Sequence, residues 1–228
     1  MVLHAGNRLV SHVVIHGRSS LGPGNTVHPF SVLRGDPQTL RRPTFEPTLT
    51  IGSENTIREH VTINAGGATA SGGTAVGDRN LIMSQCHIGH DSRIASNVVV
   101  GSGTCLAGHV ELGNDSWIGG MCAISQRVRV GRLAFLGGHS AIDRDLPPFC
   151  VAYGDRPRRI RGINIVGLKR RGFEREDILR LIRLLRTWQD ESICAPEALA
   201  RVAREHRGHA LAVEFVEFVS GTLAGVLR

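Results

Sequence analysis

Aromatic side chains are scarce in this sequence: seven Phe, two Trp and one Tyr make up 4% of 228 residues. A narrow solenoid interior filled by Val, Ile, Leu and Ala accounts for that scarcity. No stretch reaches the roughly 18 consecutive apolar residues of a membrane span. Nor does the start, Met1-Val-Leu-His-Ala-Gly6, show a charged segment followed by an apolar one, so no leader is expected. The five cysteines (Cys86, Cys105, Cys122, Cys150, Cys194) are odd in number and lack C-x-x-C spacing, which excludes a disulfide framework. They read as reduced, small core residues of a cytoplasmic protein. Acidic residues are outnumbered by 20 to 27, giving a formal charge of +7, and such a protein favours acidic partners.

What the chain does have is a period of six. Val76, Ile82, Ile88, Ile94, Val100, Leu106, Leu112, Ile118, Ile124, Val130, Leu136 and Ile142 are all aliphatic, and glycine follows many of them, as at Gly89 and Gly119. Helices and strands repeat at 3.6 and 2 residues, so neither explains this spacing. A parallel β-helix of hexapeptide repeats does. The 28 glycines suit its corners.

The same step runs through Leu3, Leu9, Ile15, Leu21, Val27 and Leu33, resumes at Ile51, Ile57 and Ile63, and then reaches Val76. Residues 34–50 and 64–75 interrupt it and are expected to loop out, the second as a flexible loop of Gly, Ala, Ser and Thr. At about 18 residues per coil the solenoid has roughly seven coils. Asp145-Leu-Pro-Pro148 ends it. The division is therefore a β-helix over 1–153 and a helical domain over 154–228. Helices are expected at 174–189, from Pro196 to about His206, and at about 210–226, closing the open end of the solenoid.

His90 and His109 stand about one coil apart, off the inward column, so both point outward into water unless another subunit covers them. Asp91 can orient the His90 imidazole and raise its basicity, making a base able to deprotonate a hydroxyl for attack on a thioester. Gly108, one coil on, can offer its N–H to the oxyanion. A zinc reading uses His87, His90 and His109. It suffers because His87 and His90 flank a corner and no carboxylate or cysteine is clearly spaced to join them. Seven basic residues (Arg156, Arg158, Arg159, Arg161, Lys169, Arg170, Arg171) without an acid among them suggest a phosphate or acidic-protein site. Nucleic acid is disfavoured by the absence of aromatics there.

The stretches Asn80–Asp91, Leu106-Ala-Gly-His-Val110, Ile118-Gly-Gly-Met121, Asp145-Leu-Pro-Pro148 and Gly167-Leu-Lys-Arg-Arg-Gly-Phe173 together resemble the acyl-carrier-protein-dependent UDP-N-acetylglucosamine O-acyltransferases of lipid A synthesis. The resemblance spans nearly the whole chain. It implies a homotrimer of left-handed β-helices with active sites between subunits, each with a C-terminal α-helical domain. No metal or soluble cofactor is implied, and the acyl donor is the phosphopantetheine thioester of acyl carrier protein. Position by position, it makes His90 the general base on the sugar 3-hydroxyl beside Asp91, and Gly108 the oxyanion donor. His87 and His109 would contact the sugar, with Gln38 and Gln126 lining the cleft. Asn164, Arg170 and Arg171 would meet the nucleotide diphosphate and the phosphopantetheine. Gly138 falls where side-chain size limits acyl length, so a glycine implies room for a long hydroxyacyl chain.

Four positions depart from the family pattern: Thr39 replaces an Asp, Asn64 and Ser125 each replace a His, and Val166 replaces an acid. An intact base with altered acceptor contacts leaves open another nucleotide sugar or an amine as acceptor. A zinc enzyme of the γ-carbonic-anhydrase kind is a further alternative.

Overall fold

The computed structural model describes residues 1–40, 45–67, 73–154 and 159–228. Short strands wind into a parallel β-helix whose three sheets hold, among the described residues, seven, nine and seven strands. Successive coils stack in a register of 18 residues: Val76 pairs with Ile94, Ile82 with Val100 and Ile88 with Leu106. This register puts the hexad aliphatics in continuous inward columns, where Ile82, Ile88, Val100, Leu106, Ile118 and Leu136 are fully buried. At the first coil the column lacks a covering layer, so Leu3 and Leu9 are 40% and 39% exposed.

The corners are built from left-handed backbone. Asp91, His109 and Arg127 take φ of 59°, 60° and 66° at the same corner of successive coils. Non-glycine residues pay strain there, of order 1–3 kcal/mol each, which the stacked coils on either side must offset. Inside another corner, a ladder of buried asparagines carries hydrogen bonds from coil to coil: Asn55 N–H donates to Asn25 Oδ1, and Asn80 N–H to Asn55 Oδ1, each at 2.9 Å.

The two interruptions fall close to where the hexads fail. Leu21 pairs with Ile51 and Ile51 with Val76, so the extra chain leaves between flush coils. Their edges differ from the expectation, however. Strand Val32–Gly35 carries past residue 34, strand Leu49–Ile51 starts before the repeat resumes, and Asn64 and Thr74 are buried members of strands Thr62–Asn64 and Thr74–Val76. The second interruption is therefore anchored at both ends, with Thr48 bridging Gly66; residues 41–44 and 68–72 lie outside the described residues.

At the C-terminal end, strand Cys150–Tyr153 continues the second sheet in parallel with Phe135–Leu136, and strand Arg159–Ile163 returns antiparallel to it. Helices α1 (Ile165–Arg170), α2 (Arg175–Trp188), α3 (Ala195–Glu205) and α4 (Ala210–Ser220) follow. The strand Arg159–Ile163 and α1 are not among the expected elements, and the last helix ends at Ser220, six residues before the expected 226. Gly221 caps α4, and the remaining chain turns back to bracket Asp145, whose N–H donates to Gly225 O at 2.8 Å. Helix α4 closes over the last coils: Glu214 pairs with Arg132 at 2.7 Å, and Arg129 lies 4.4 Å over the Phe218 ring while its guanidinium binds the fully buried Asp145.

The cysteine expectation holds for Cys86, Cys122 and Cys150, which are buried. It fails for Cys105 and Cys194, which are free and exposed. Cys105 precedes an inward leucine, so its side chain points outward.

Candidate active site

Strand His87–Ile88 of the third sheet ends in the corner Gly89-His90-Asp91. The left-handed turn at Asp91 swings its carboxylate back against the preceding ring, and His90 Nδ1 meets Asp91 Oδ2 at 2.8 Å. An ionised carboxylate only accepts, so Nδ1 carries the proton and Nε2 is left with its lone pair outward. Two residues from the second interruption back this pair. Thr74 Oγ1 accepts the Asp91 N–H at 2.9 Å, and Gly66 packs so closely that a Cβ there would stand 2.6 Å from Asp91 Oδ1.

The stacked coils supply the rest. Ile88 pairs with Leu106, which sets Gly108 level with His90. Among the described residues the Gly108 N–H has no acceptor, so it is available to one. His109 N–H donates to His90 O at 2.8 Å, and the two imidazoles meet edge to face with centroids 5.2 Å apart. His87 Nδ1 is held by Thr62 Oγ1 at 2.8 Å. Burial pushes the imidazoles of His87 and His109 below the ordinary histidine range. Interaction with the neighbouring His90 imidazole adds to this at His87; at His109 the lowering by burial is opposed by Asp91 and reinforced by Arg127 and His90. Both rings thus favour the neutral form. The expectation of wet histidines needs amending, because the His90 and His109 side chains are only 17% and 20% exposed within a single chain.

A cleft of about 540 Å³ runs along the third sheet at this corner, and Gln38, His87, His90, Gly108 and Gln126 all line it. Five expected site residues are thus gathered in one place, together with Asn64, Cys105 and Ser125. His109 faces a neighbouring hollow with Asp91 and Arg127. Gly138 lies at an exposed corner one coil beyond Gly120, away from this cleft. Asn164, Arg170 and Arg171 line a separate cleft of about 620 Å³ against the second sheet, with Trp117, Phe135, Tyr153 and Val166. Asn164 also has structural work there: its Oδ1 accepts from Gly167 N–H as the cap of α1, and its Nδ2 donates to Leu133 O at 2.8 Å. One chain does not bring these three residues to His90.

Among the described residues the group whose spacing could hold a metal ion is His90, Asp91 and His109, with possible ligand atoms within 4.8 Å of one another; a carboxylate does join, and His87 does not. The basic run free of acids in sequence is partly neutralised in space, since Arg171 pairs with Asp115 and Arg159 with Glu191. Arg156 and Arg158 lie outside the described residues. Thr62, Gly66 and Thr74, which hold His87 and Asp91, are not among the expected site residues. Aligning the inward residues Ile63 and Ile88 would have set Thr62 opposite His87.

Residues 145–227 match the family described as UDP N-acetylglucosamine O-acyltransferase, domain 2, and residues 73–108 match the bacterial transferase hexapeptide family. The acyl-[acyl-carrier-protein]–UDP-N-acetylglucosamine O-acyltransferase of Agrobacterium fabrum is 36% identical over 220 residues, which cover 96% of this chain and 81% of that protein. The same-named protein of Rhizobium rhizogenes is 39% identical over 221 residues, covering 96% and 81%. Among solved structures, the UDP-N-acetylglucosamine acyltransferase of Bacteroides fragilis superposes with a TM-score of 0.92 at 34% identity, over 98% of this chain and 87% of that one. The solenoid is a left-handed β-helix with C-terminal helices, as the likeness to these structures shows.

Proposed function

The chain belongs to the UDP-N-acetylglucosamine O-acyltransferase family, and on that premise we propose how it moves a (3-hydroxy)acyl group from acyl carrier protein to the 3-hydroxyl of UDP-N-acetylglucosamine. The observation that carries this reading is the His90–Asp91 hydrogen bond of 2.8 Å with Gly108 directly beneath the ring. His90 Nε2 takes the proton of the sugar hydroxyl as its oxygen attacks the thioester carbonyl. Asp91 holds the tautomer and stabilises the imidazolium that forms. The Gly108 N–H receives the oxyanion. Collapse expels the phosphopantetheine thiolate, which recovers the proton from His90, leaving an ester and a free thiol.

Neutral His87 and His109, with Gln38 and Gln126, bind the sugar in this scheme. Gly138, bearing no side chain, leaves room for a long acyl chain. Asn164, Arg170 and Arg171 take the diphosphate and the phosphopantetheine from a neighbouring subunit, which is the reason to expect a homotrimer. Its support is that the two clefts lie on different sheets of one chain and each holds only part of the binding groups. Free cysteines and the lack, among the described residues, of any helix long and apolar enough to cross a membrane accord with a cytoplasmic enzyme. No soluble cofactor or metal enters the scheme. The curated relatives carry UDP-N-acetylglucosamine in their names and so do not favour another acceptor or a zinc hydratase.

The test is a panel of UDP-sugars offered with 3-hydroxyacyl carrier protein and read by mass spectrometry of the nucleotide product. UDP-N-acetylglucosamine is expected to gain one acyl group. Turnover of a different acceptor with none of this one would overturn the assignment.

A further inference from the structure

Asn64 is 5% exposed at the end of strand Thr62–Asn64. Its Nδ2 donates to the backbone carbonyl of Asp36 at 2.7 Å. A carbonyl only accepts, so this bond fixes which end of the amide faces the chain leading to Gln38. Gly35, paired with Asn64 across the strands, permits the approach, since a Cβ there would lie 2.9 Å from Nδ2. The other end, Oδ1, is buried and has no hydrogen-bond partner among the described residues. Buried acceptors are rarely left so, and an orphan of this kind calls for a donor. Asn64 lines the same cleft as His90, His87 and Gln38.

Its position indicates which donor. Ile63 pairs with Ile88, so Asn64 lies level with Gly89, one coil to the N-terminal side of His90. Gly108 lies one coil to the other side. The base is thus flanked by an N–H available to the acyl oxygen on one coil and by an acceptor on the next. The reacting end of a thioester offers only a carbonyl and a sulfur, neither of which can donate. A sugar offers donors on both sides of its 3-hydroxyl, namely the 4-hydroxyl and the 2-acetamido N–H. We propose that Asn64 Oδ1 accepts one of these two and is the residue that recognises the sugar beside its reacting hydroxyl. The proposal rests on the acyl-transfer reading above.

The experiment measures kcat/KM for wild type, Asn64→Ala and Asn64→Asp with UDP-N-acetylglucosamine, its 4-deoxy analogue and its 2-acetoxy analogue, each with 3-hydroxyacyl and plain acyl carrier protein. The wild type is expected to lose about 10- to 100-fold on one sugar analogue. Asn64→Ala should lose a similar factor on the parent sugar and be indifferent to that analogue. Asn64→Asp keeps the oxygen and discards the bond to Asp36, so it should retain the analogue penalty even if slower overall. That variant separates receiving the ligand from holding the loop, and it decides the matter together with wild type if Asn64→Ala does not fold. An Asn64→Ala enzyme that keeps the full penalty overturns the proposal. So does a wild type indifferent to both analogues, or a penalty that follows the acyl 3-hydroxyl instead. A wild type that turns over no UDP-N-acetylglucosamine sinks the acyl-transfer reading itself, a separate outcome.

Discussion

Gly108 lies directly beneath the His90 imidazole: a Cβ on it would stand 2.6 Å from Nε2. No side chain fits that gap, so the glycine keeps the base and the oxyanion site within reach of one substrate. Gly108→Ala is expected to push the ring aside and lower kcat by about 100- to 1,000-fold, the scale of losing an oxyanion donor. Its melting temperature should change little, because the residue shows no left-handed φ that alanine would resist. Steady-state kinetics beside a thermal melt checks both, and an alanine variant with normal kcat would contradict the arrangement.

Acid should weaken the fold well before it protonates carboxylates. Burial lowers the pKa of His87, His109 and His206 from a common reference of 6.5, so the unfolded chain binds protons more readily than the native one. Their contribution is complete above about 6.5 and is lost as pH falls through the lower native values. Melting temperature between pH 7.5 and 5 is expected to fall, and the fall should shrink in His87→Gln. A melting temperature that rises on acidification over this window would contradict it.

Cysteine reactivity should separate inside from outside. Burial raises the Cys86 thiol to about 11 and also raises Cys122 and Cys150, so these three remain protonated and shielded. Cys105 pairs in register with His87 and lines the cleft, while Cys194 is exposed at the start of α3. A maleimide is expected to label these two, to inactivate through Cys105, and to be slowed at Cys105 alone by saturating UDP-N-acetylglucosamine. Labelling at Cys105 with full activity retained would show that the cleft is not the acceptor site.

Asp145 fastens the last coil to the C-terminal segment. It is fully buried and accepts from the Arg129 N–H and guanidinium and from Thr222 Oγ1, all at 2.8–2.9 Å. Removing one partner of a buried pair strands the other charge, typically at a cost of about 3–5 kcal/mol. Asp145→Ala should lose stability on that scale in urea or guanidinium titrations. A loss under about 1 kcal/mol, the range of exposed pairs, would show that water reaches the junction.

The repeat was legible because each inward aliphatic reports its own burial through a fixed spacing of six. That spacing also delivered His90 and Gly108 as neighbours, since Leu106 stacks on Ile88. Where an insertion intervenes the spacing no longer counts coils. Thr62 is 25 residues from His87, not 18, so the spacing does not mark it as its partner. Thr74 and Gly66 sit in a stretch whose composition is that of a loop. Their packing against Asp91 depends on a return path that local sequence does not encode. The burial of His90 likewise is not written in the local sequence, and the acid-free basic run does not reveal that Asp115 reaches Arg171 from a distant coil.

The most direct test compares wild type with His90→Ala in acyl transfer from 3-hydroxyacyl carrier protein to UDP-N-acetylglucosamine, with circular dichroism to show that both are folded. The account predicts an acylated sugar nucleotide from wild type and a rate at least about 100-fold lower from the variant, the usual span of a lost general base. Equal rates from the two folded proteins would contradict it.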